Sequence, residues 1–482
     1  MEKKRHTFSS GIGFVLAAAG SAVGLGNLWR FPYLAAKYGG GMFLLIYIIL
    51  VFTFGYTLMT AENAIGRKSG KSSLDAFAAL KKKWGFVGII ATLIPCIILP
   101  YYNVIGGWII KYFFEYFNGF MSDISCAFWN LAPVGESGFG AHMAAGGEYF
   151  VNMLGSAPTL IIVQSIFTII VAVVLLMGVQ KGVEKASTIL MPVLILLAVI
   201  ICIYSITLPG AIEGVKYFFI PKAENFSIMG VLAAMGQMFY SLSLAMGIMI
   251  AYGSYIPKDS SIEKNVGRIE LFDTLIAVMA GLMIIPAVFA FDPTQISKSG
   301  PGLMFVVLPQ VFDSMPLSNL MGMLFFFLVF AAAITSAISL METIVACVCD
   351  HTGLGRKTSV IIVALFTLAI STLPALGYNV LSGVKFFDRF DILDFMDFIT
   401  NSVMMPICSL LICLFVSFGI GTKAIEDEVE IYGAFRRKKL FRIMIKYVAP
   451  IFVLAVLVSS VLNSFGIITM EELECKKTTP NV

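Results

Sequence analysis

Polar side chains are costly inside apolar runs, so the ones placed there mark where chemistry is to be sought. The stretch Gly20-Ser21-Ala22-Val23-Gly24-Leu25-Gly26-Asn27-Leu28-Trp29-Arg30-Phe31-Pro32 sets three alternating glycines before an amide, a guanidinium and a proline. Each of these weakens a helix or puts a polar group in lipid, so a break in the first long apolar segment is predicted here. Backbone without helical partners is tolerated at membrane depth only where protein covers it or it lines a polar cavity, which makes such a break a binding-site signal. Glycines at this spacing also permit close helix packing. Packing needs neither Asn27 nor Arg30, and these two tip the reading towards a site.

Gln237, Ser241, Ser243 and Gly247 interrupt a second apolar stretch in the other half of the chain. Asp273 lies in a third. A carboxylate there costs several kcal/mol unless it is paired, so a cation or strong donors should lie beside it. Glu62 falls near the end of an apolar run. The small polar cluster Ala331 to Ala337 fits helix packing as well as binding, and Asp394 and Asp397 either serve a site or are solvated at a helix end.

These groups need elements to hold them. The chain of 482 residues is 59% hydrophobic and 13% charged, with a mean hydropathy of +0.91, more apolar surface than a soluble protein can hide. Runs of about 20 apolar residues read as membrane-spanning helices. Eleven are expected, at about 11–35, 40–66, 85–118, 157–178, 187–208, 226–256, 268–292, 317–349, 358–376, 393–420 and 443–466. The first is read as a span, since it contains Arg30 and lacks a small-residue cleavage site. With the N-terminus cytoplasmic, most Lys and Arg residues fall on cytoplasmic segments, among them Lys3-Lys4-Arg5, Lys81-Lys82-Lys83 and Arg436-Arg437-Lys438-Lys439. The positive-inside rule therefore selects that orientation and puts the tail 467–482 outside. These basic clusters give little support for nucleic-acid binding. Cys96, Cys202, Cys347, Cys349, Cys408 and Cys413 lie in or beside spans as small hydrophobes; a Cys126–Cys475 pair is a remote option, and no His or Cys cluster has metal-ligand spacing.

Breaks in spans 1 and 6 are what two five-helix inverted repeats would produce, with a site between them at the midplane. The expected architecture is an all-α polytopic membrane protein. Residues 1–466 are expected to form one transmembrane domain with repeats at 11–208 and 226–420, spans 1–5 and 6–10, and an extra helix at 443–466. Pro192 follows Gly182 by ten residues inside span 5, which should ease kinking or unwinding there.

Together these residues resemble the neurotransmitter:sodium symporter family, particularly its bacterial amino-acid members, over about residues 5–466. The resemblance implies one sodium held by Ala22, Asn27, Ser241, Asp273 and the substrate carboxylate, and a second at Gly20, Val23, Ala332, Thr335 and Ser336. Both sets offer the oxygen ligands a hard cation prefers. Chloride-dependent members generally carry Asn at the position of Asp273 and Ser at that of Ala277, so chloride independence is expected. Members that carry amines have Asp at the position of Gly24; its absence points to a substrate with its own carboxylate. Leu25 and Gly26 N–H groups and the Tyr102 hydroxyl would hold that group. Ala22, Gly24, Ile98, Tyr240, Ser241, Ser243, Met246, Ala337 and Leu340 complete the implied substrate site, suited to a neutral hydrophobic or aromatic amino acid. Ala245 replaces a Gly found in some members with bulky substrates.

The implied gates are Arg30 with Asp397 over Tyr240 on the outside, and Arg5 with Asp350, supported by Tyr255 and Glu62, on the inside. Phe8 stands where the family usually has Trp. The expected function is sodium-coupled import of a neutral amino acid across the cell (inner) membrane. Two sodium ions and no organic cofactor are expected, with the amino acid, sodium and the lipid bilayer as partners. A proton-coupled carrier of the same architecture is the alternative. An enzyme is not expected, because no nucleophile and base or metal cluster stands at recognisable spacing within the spans.

Overall fold

The computed structural model describes residues 8–129, 147–291, 302–313 and 317–465. Arg5, Cys475 and the tail 467–482 lie outside them. The chain is an all-α polytopic membrane protein, and an isolated bridge between Phe386 and Phe390 is the only β pairing among the described residues. Nine helices there are long and apolar enough to cross a bilayer: Gly41–Ser69, Lys82–Asp123, Ala157–Leu176, Val179–Thr207, Ile262–Phe291, Ser318–Thr352, Arg356–Leu376, Ile392–Gly419 and Lys438–Leu462. They occupy the places expected for spans 2–5 and 7–11.

The two remaining places are where the sequence foretold breaks. Span 1 is a pair of helices, Gly11–Ala22 and Gly26–Lys37, bent by 49°. Span 6 is Ile228–Ser241 followed by Ile248–Gly253, with 242–247 unwound between them. Ser10 caps span 1 by accepting from Gly13 N at 3.0 Å, and Ser227 caps span 6 in the same way from Gly230 N at 2.9 Å.

Both broken spans are wrapped by long helices. Span 8 runs along span 3, span 1 lies against spans 7 and 8, and the first half of span 6 lies against span 2. Carbonyls released at a break therefore face protein, as an apolar solvent demands. The glycines between spans 1 and 2 do more than turn the chain. Gly39 and Gly40 have φ of +88° and +55°, and a Cβ on Gly40 would strike the Tyr217 carbonyl. The connector between spans 5 and 6 thus seats on this turn, tied by the Tyr217 hydroxyl donating to Ala36 O at 2.6 Å.

Candidate functional site

In span 1 the last regular bond before the break is Val23 N to Ala19 O, at 2.7 Å. Side chains from the facing spans serve the carbonyls that follow. Ser336 donates to Ser21 O at 3.1 Å and to Gly20 O at 3.4 Å, and Ser243 donates to Ser21 O at 3.0 Å. In span 6 the chain turns left-handed at Ser243, Ala245 and Gly247, with φ of +53°, +61° and +75°. Only glycine enters that region freely, so Ser243 and Ala245 need outside support. They have it: the Ser243 hydroxyl holds span 1, and Ala245 N donates to Glu62 Oε1 at 2.7 Å. Glu62 is fully buried, and its Oε2 has no partner among the described residues.

Asp273 is buried behind these breaks. Its Oδ1 accepts from Ser241 at 2.6 Å and from Asn27 Nδ2 at 2.8 Å, and its Oδ2 accepts from Tyr47 at 2.8 Å. Three donors from three other spans thus meet one carboxylate. Gly24 N donates to the Asn27 side-chain Oδ1 at 3.4 Å. In the second cluster Thr335 donates to Ala331 O and Ala332 O at 3.1 and 3.0 Å, while Ser336 reaches Gly20. A Cβ on Gly20 would lie 3.3 Å from Thr335 Cβ and 3.4 Å from the Ser187 hydroxyl, which brings span 5 into the group. Val23 is buried at the adjoining break.

Between the breaks lies a cavity of about 30 Å³. Ala22, Gly24, Leu25, Gly26, Ile98, Tyr102, Tyr240, Ser243, Met246 and Leu340 line it, joined by Ser21, Ile248 and Ser336; Ser241 and Ala337 do not line it. Such a volume suits a water rather than an amino acid, so the walls must part to admit one. Leu25 N donates to the Tyr102 hydroxyl at 3.5 Å. Gly24 is closely covered: a Cβ there would sit 2.5 Å from Ser336 Oγ and 3.2 Å from Tyr102 Oη, so a larger residue has to displace these hydroxyls. A second cavity of about 230 Å³ lies above, away from the N-terminal end, and Leu25 and Tyr240 border both. Arg30 and Asp397 line it. They form no ion pair: Arg30 stands 5.6 Å from the Tyr240 ring centroid, and Asp397 accepts from Tyr101 at 3.1 Å and from Asn401.

The N-terminal end is packed instead. Phe8 is 2% exposed, edge-on to Phe14, Tyr252 and Tyr255, and its N–H donates to Tyr255 O at 3.2 Å. The Tyr255 hydroxyl donates to Glu342 at 3.0 Å, and Arg356 grips both Glu342 oxygens at 2.9 and 2.6 Å. Asp350 accepts from Ser72 N at 2.7 Å. Tyr47, Glu342 and Arg356 were missed by sequence reasoning. Glu342 carried a usable signal, an acid within an apolar run, which is the criterion that singled out Asp273.

The model of the sodium:neurotransmitter symporter family matches residues 5–141 and 151–473. The chain belongs to that family. It is 34% identical over 475 residues to an uncharacterized sodium-dependent transporter of Bacillus subtilis, YhdH, covering 97% of this chain and 99% of that one. A similarly described transporter of Methanocaldococcus jannaschii is 31% identical over 476 residues, covering 96% and 92%. The solved structure of MhsT in complex with L-phenylalanine superposes with a TM-score of 0.83 at 36% identity, covering 95% of this chain and all of that one. The protein is accordingly a sodium-coupled, multi-pass membrane transporter.

Proposed function

We propose that the protein imports a neutral amino acid with an apolar side chain, driven by sodium and without chloride. The observation that carries this reading is Asp273, a buried carboxylate held by Asn27, Ser241 and Tyr47 beside both breaks. It supplies a fixed negative charge where hydroxyl and amide donors would otherwise collect an anion. The substrate argument rests on Gly24, which brings no carboxylate to pair with an amine and over which Ser336 and Tyr102 close in. The carboxylate then comes with the substrate, opposite the Leu25 and Gly26 N–H groups and Tyr102, where a half-helix end favours negative charge. Ile98, Met246 and Leu340 supply apolar walls, and Met246 adapts its shape readily. That MhsT was solved with L-phenylalanine agrees with such a pocket.

Sodium is cargo here as well as driver. One ion joins the substrate carboxylate to Ala22, Asn27, Ser241 and Asp273; the other lies among Gly20, Val23, Ala332, Thr335 and Ser336. The N-terminus is cytoplasmic, so the cavity holding Arg30 and Asp397 opens outward and the end packed by Phe8 faces the cytoplasm. Alternating access then closes one end as the other opens.

The test is uptake of labelled neutral amino acids into proteoliposomes under an inward sodium gradient, with potassium as control and chloride varied separately. Accumulation that needs sodium and ignores chloride is expected. Equal uptake without sodium overturns the ion sites in favour of proton coupling, and a strict chloride requirement overturns the role given to Asp273.

A further inference from the structure

Glu184 belongs to none of the groups assigned above. It closes the π-helical turn Val179–Glu184 at the start of span 5 and is 7% exposed. Its carboxylate reaches across to span 1, where Ser9 N donates to Oε2 at 2.9 Å and the Ser9 hydroxyl donates to Oε1. The approach depends on Gly13, because a Cβ there would collide with the same carboxylate. A bare first turn thus forms a notch beside the N–H end of helix Gly11–Ala22, where negative charge is favoured. Ser10 already caps Gly13 N, so the Glu184 clasp is additional to the local cap.

The same stretch of span 5 leads to the second proposed sodium site. Ser187, three residues on, is buried and faces Gly20 beside Thr335. Pro192 lies inside the helix beyond it, where it withholds a backbone donor. The start of span 5 therefore depends on what grips it from outside. We propose that Glu184 is a positioning residue of the transport cycle. By clasping Ser9 and the notch at Gly13, it makes release of the span 1 end and loosening of span 5 beside Gly20 and Thr335 a single event. When Ser9 departs, Glu184 loses both donors while still largely enclosed, and a carboxylate so stranded draws water towards the ion site. This rests on the alternating-access reading above.

Amide hydrogen exchange of the purified protein in lipid nanodiscs, in sodium and in potassium, tests the coupling. Glu184→Gln should raise exchange across residues 179–191 in sodium by about tenfold, the weight of one hydrogen bond to a charged group. Ser9→Ala, at an exposed position that keeps the fold, should give a smaller rise. The double variant should exceed Glu184→Gln hardly at all, since both act on one clasp. Exchange in span 9 should stay unchanged. In proteoliposomes Glu184→Gln should raise the sodium concentration for half-maximal uptake more than it lowers the maximal rate. Unchanged exchange in 179–191, or additive effects of the two substitutions, overturns the clasp. Wild-type protein that accumulates no amino acid under a sodium gradient overturns the transport reading instead, whatever the exchange shows.

Discussion

Asp273 shows how much one side chain can decide. Its three donors come from spans 1, 2 and 6, and they remain in place if the carboxylate is neutralised. Asp273→Ser should therefore leave a nest of hydroxyl and amide donors that an anion can enter. Uptake in chloride-free buffer is expected to fall at least about tenfold, as a hydrogen-bonded charge is worth roughly 1.5–3 kcal/mol, and chloride should restore much of it. Tracer uptake with chloride exchanged for gluconate measures both effects. Gly24→Asp probes the substrate argument. The new side chain meets Ser336 and Tyr102, so amino-acid uptake should be abolished without gain of amine transport, as competition by unlabelled amines would register. The polar members of this site were legible because Asn27, Ser241 and Asp273 each interrupt an apolar run. Tyr47 was not, since a tyrosine in such a run reads as core aromatic until its hydroxyl is seen to meet a carboxylate. Arg356 opens span 9 and reads as a topology charge, although it reaches back fourteen residues to Glu342.

At the scale of elements, the break in span 6 is held under tension that could be relieved. Ala245 occupies the left-handed region at φ +61° and keeps its place through its N–H bond to Glu62. Ala245→Gly retains that bond and removes the clash of Cβ with the backbone, worth about 1 kcal/mol. A rise in Tm of the purified protein is expected, read by a thermal-shift assay; a fall would mean that the gain in unfolded-chain freedom dominates. Sequence composition located both breaks but not their handedness, because Ser and Ala do not announce a positive φ and the support comes from Glu62, far away in the chain. Span ends were equally hard to read. Span 3 runs from Lys82 to Asp123, past its apolar stretch, with Lys111 and Glu115 paired one turn apart on its surface. The helix Thr422–Glu430, between spans 10 and 11, adds a prediction about pH. Hydrogen bonds from the Arg442 guanidinium hold the Glu426 carboxyl below its ordinary value. A depressed carboxylate stabilises the folded state above its unfolded pKa and loses that contribution as pH falls through the folded one. Wild type should thus lose Tm relative to Glu426→Gln on acidification through and below the usual carboxylate range, with no such difference in slope near neutrality.

For the whole molecule, the two ends are in opposite conditions. The cavity of about 230 Å³ is lined by Arg30 and Asp397, on the outer side in the orientation proposed above, while Phe8, the Glu342–Arg356 pair and the Ser9–Glu184 clasp pack the opposite end, the inner one in that orientation. If transport alternates between ends, substitutions at the two gates must shift the balance in opposite directions. Arg356→Gln leaves Glu342 buried with the Tyr255 hydroxyl as its remaining named donor. Stranding a buried charge costs about 3–5 kcal/mol, and opening the inner end relieves that cost by hydration. The variant should populate the inward-open form, so sodium-dependent binding of a labelled amino acid from the outer side should weaken by at least about tenfold. Asp397→Asn acts on closure of the outer end instead, after the ligand has entered. Equilibrium binding should stay within about threefold of wild type, while uptake falls about tenfold or more because the occluded form is not reached. Scintillation-proximity binding set beside proteoliposome uptake separates the two cases. Equal losses of binding and uptake in both variants would mean that the charged groups merely hold the bundle together, and the assignment of two alternating gates would fall.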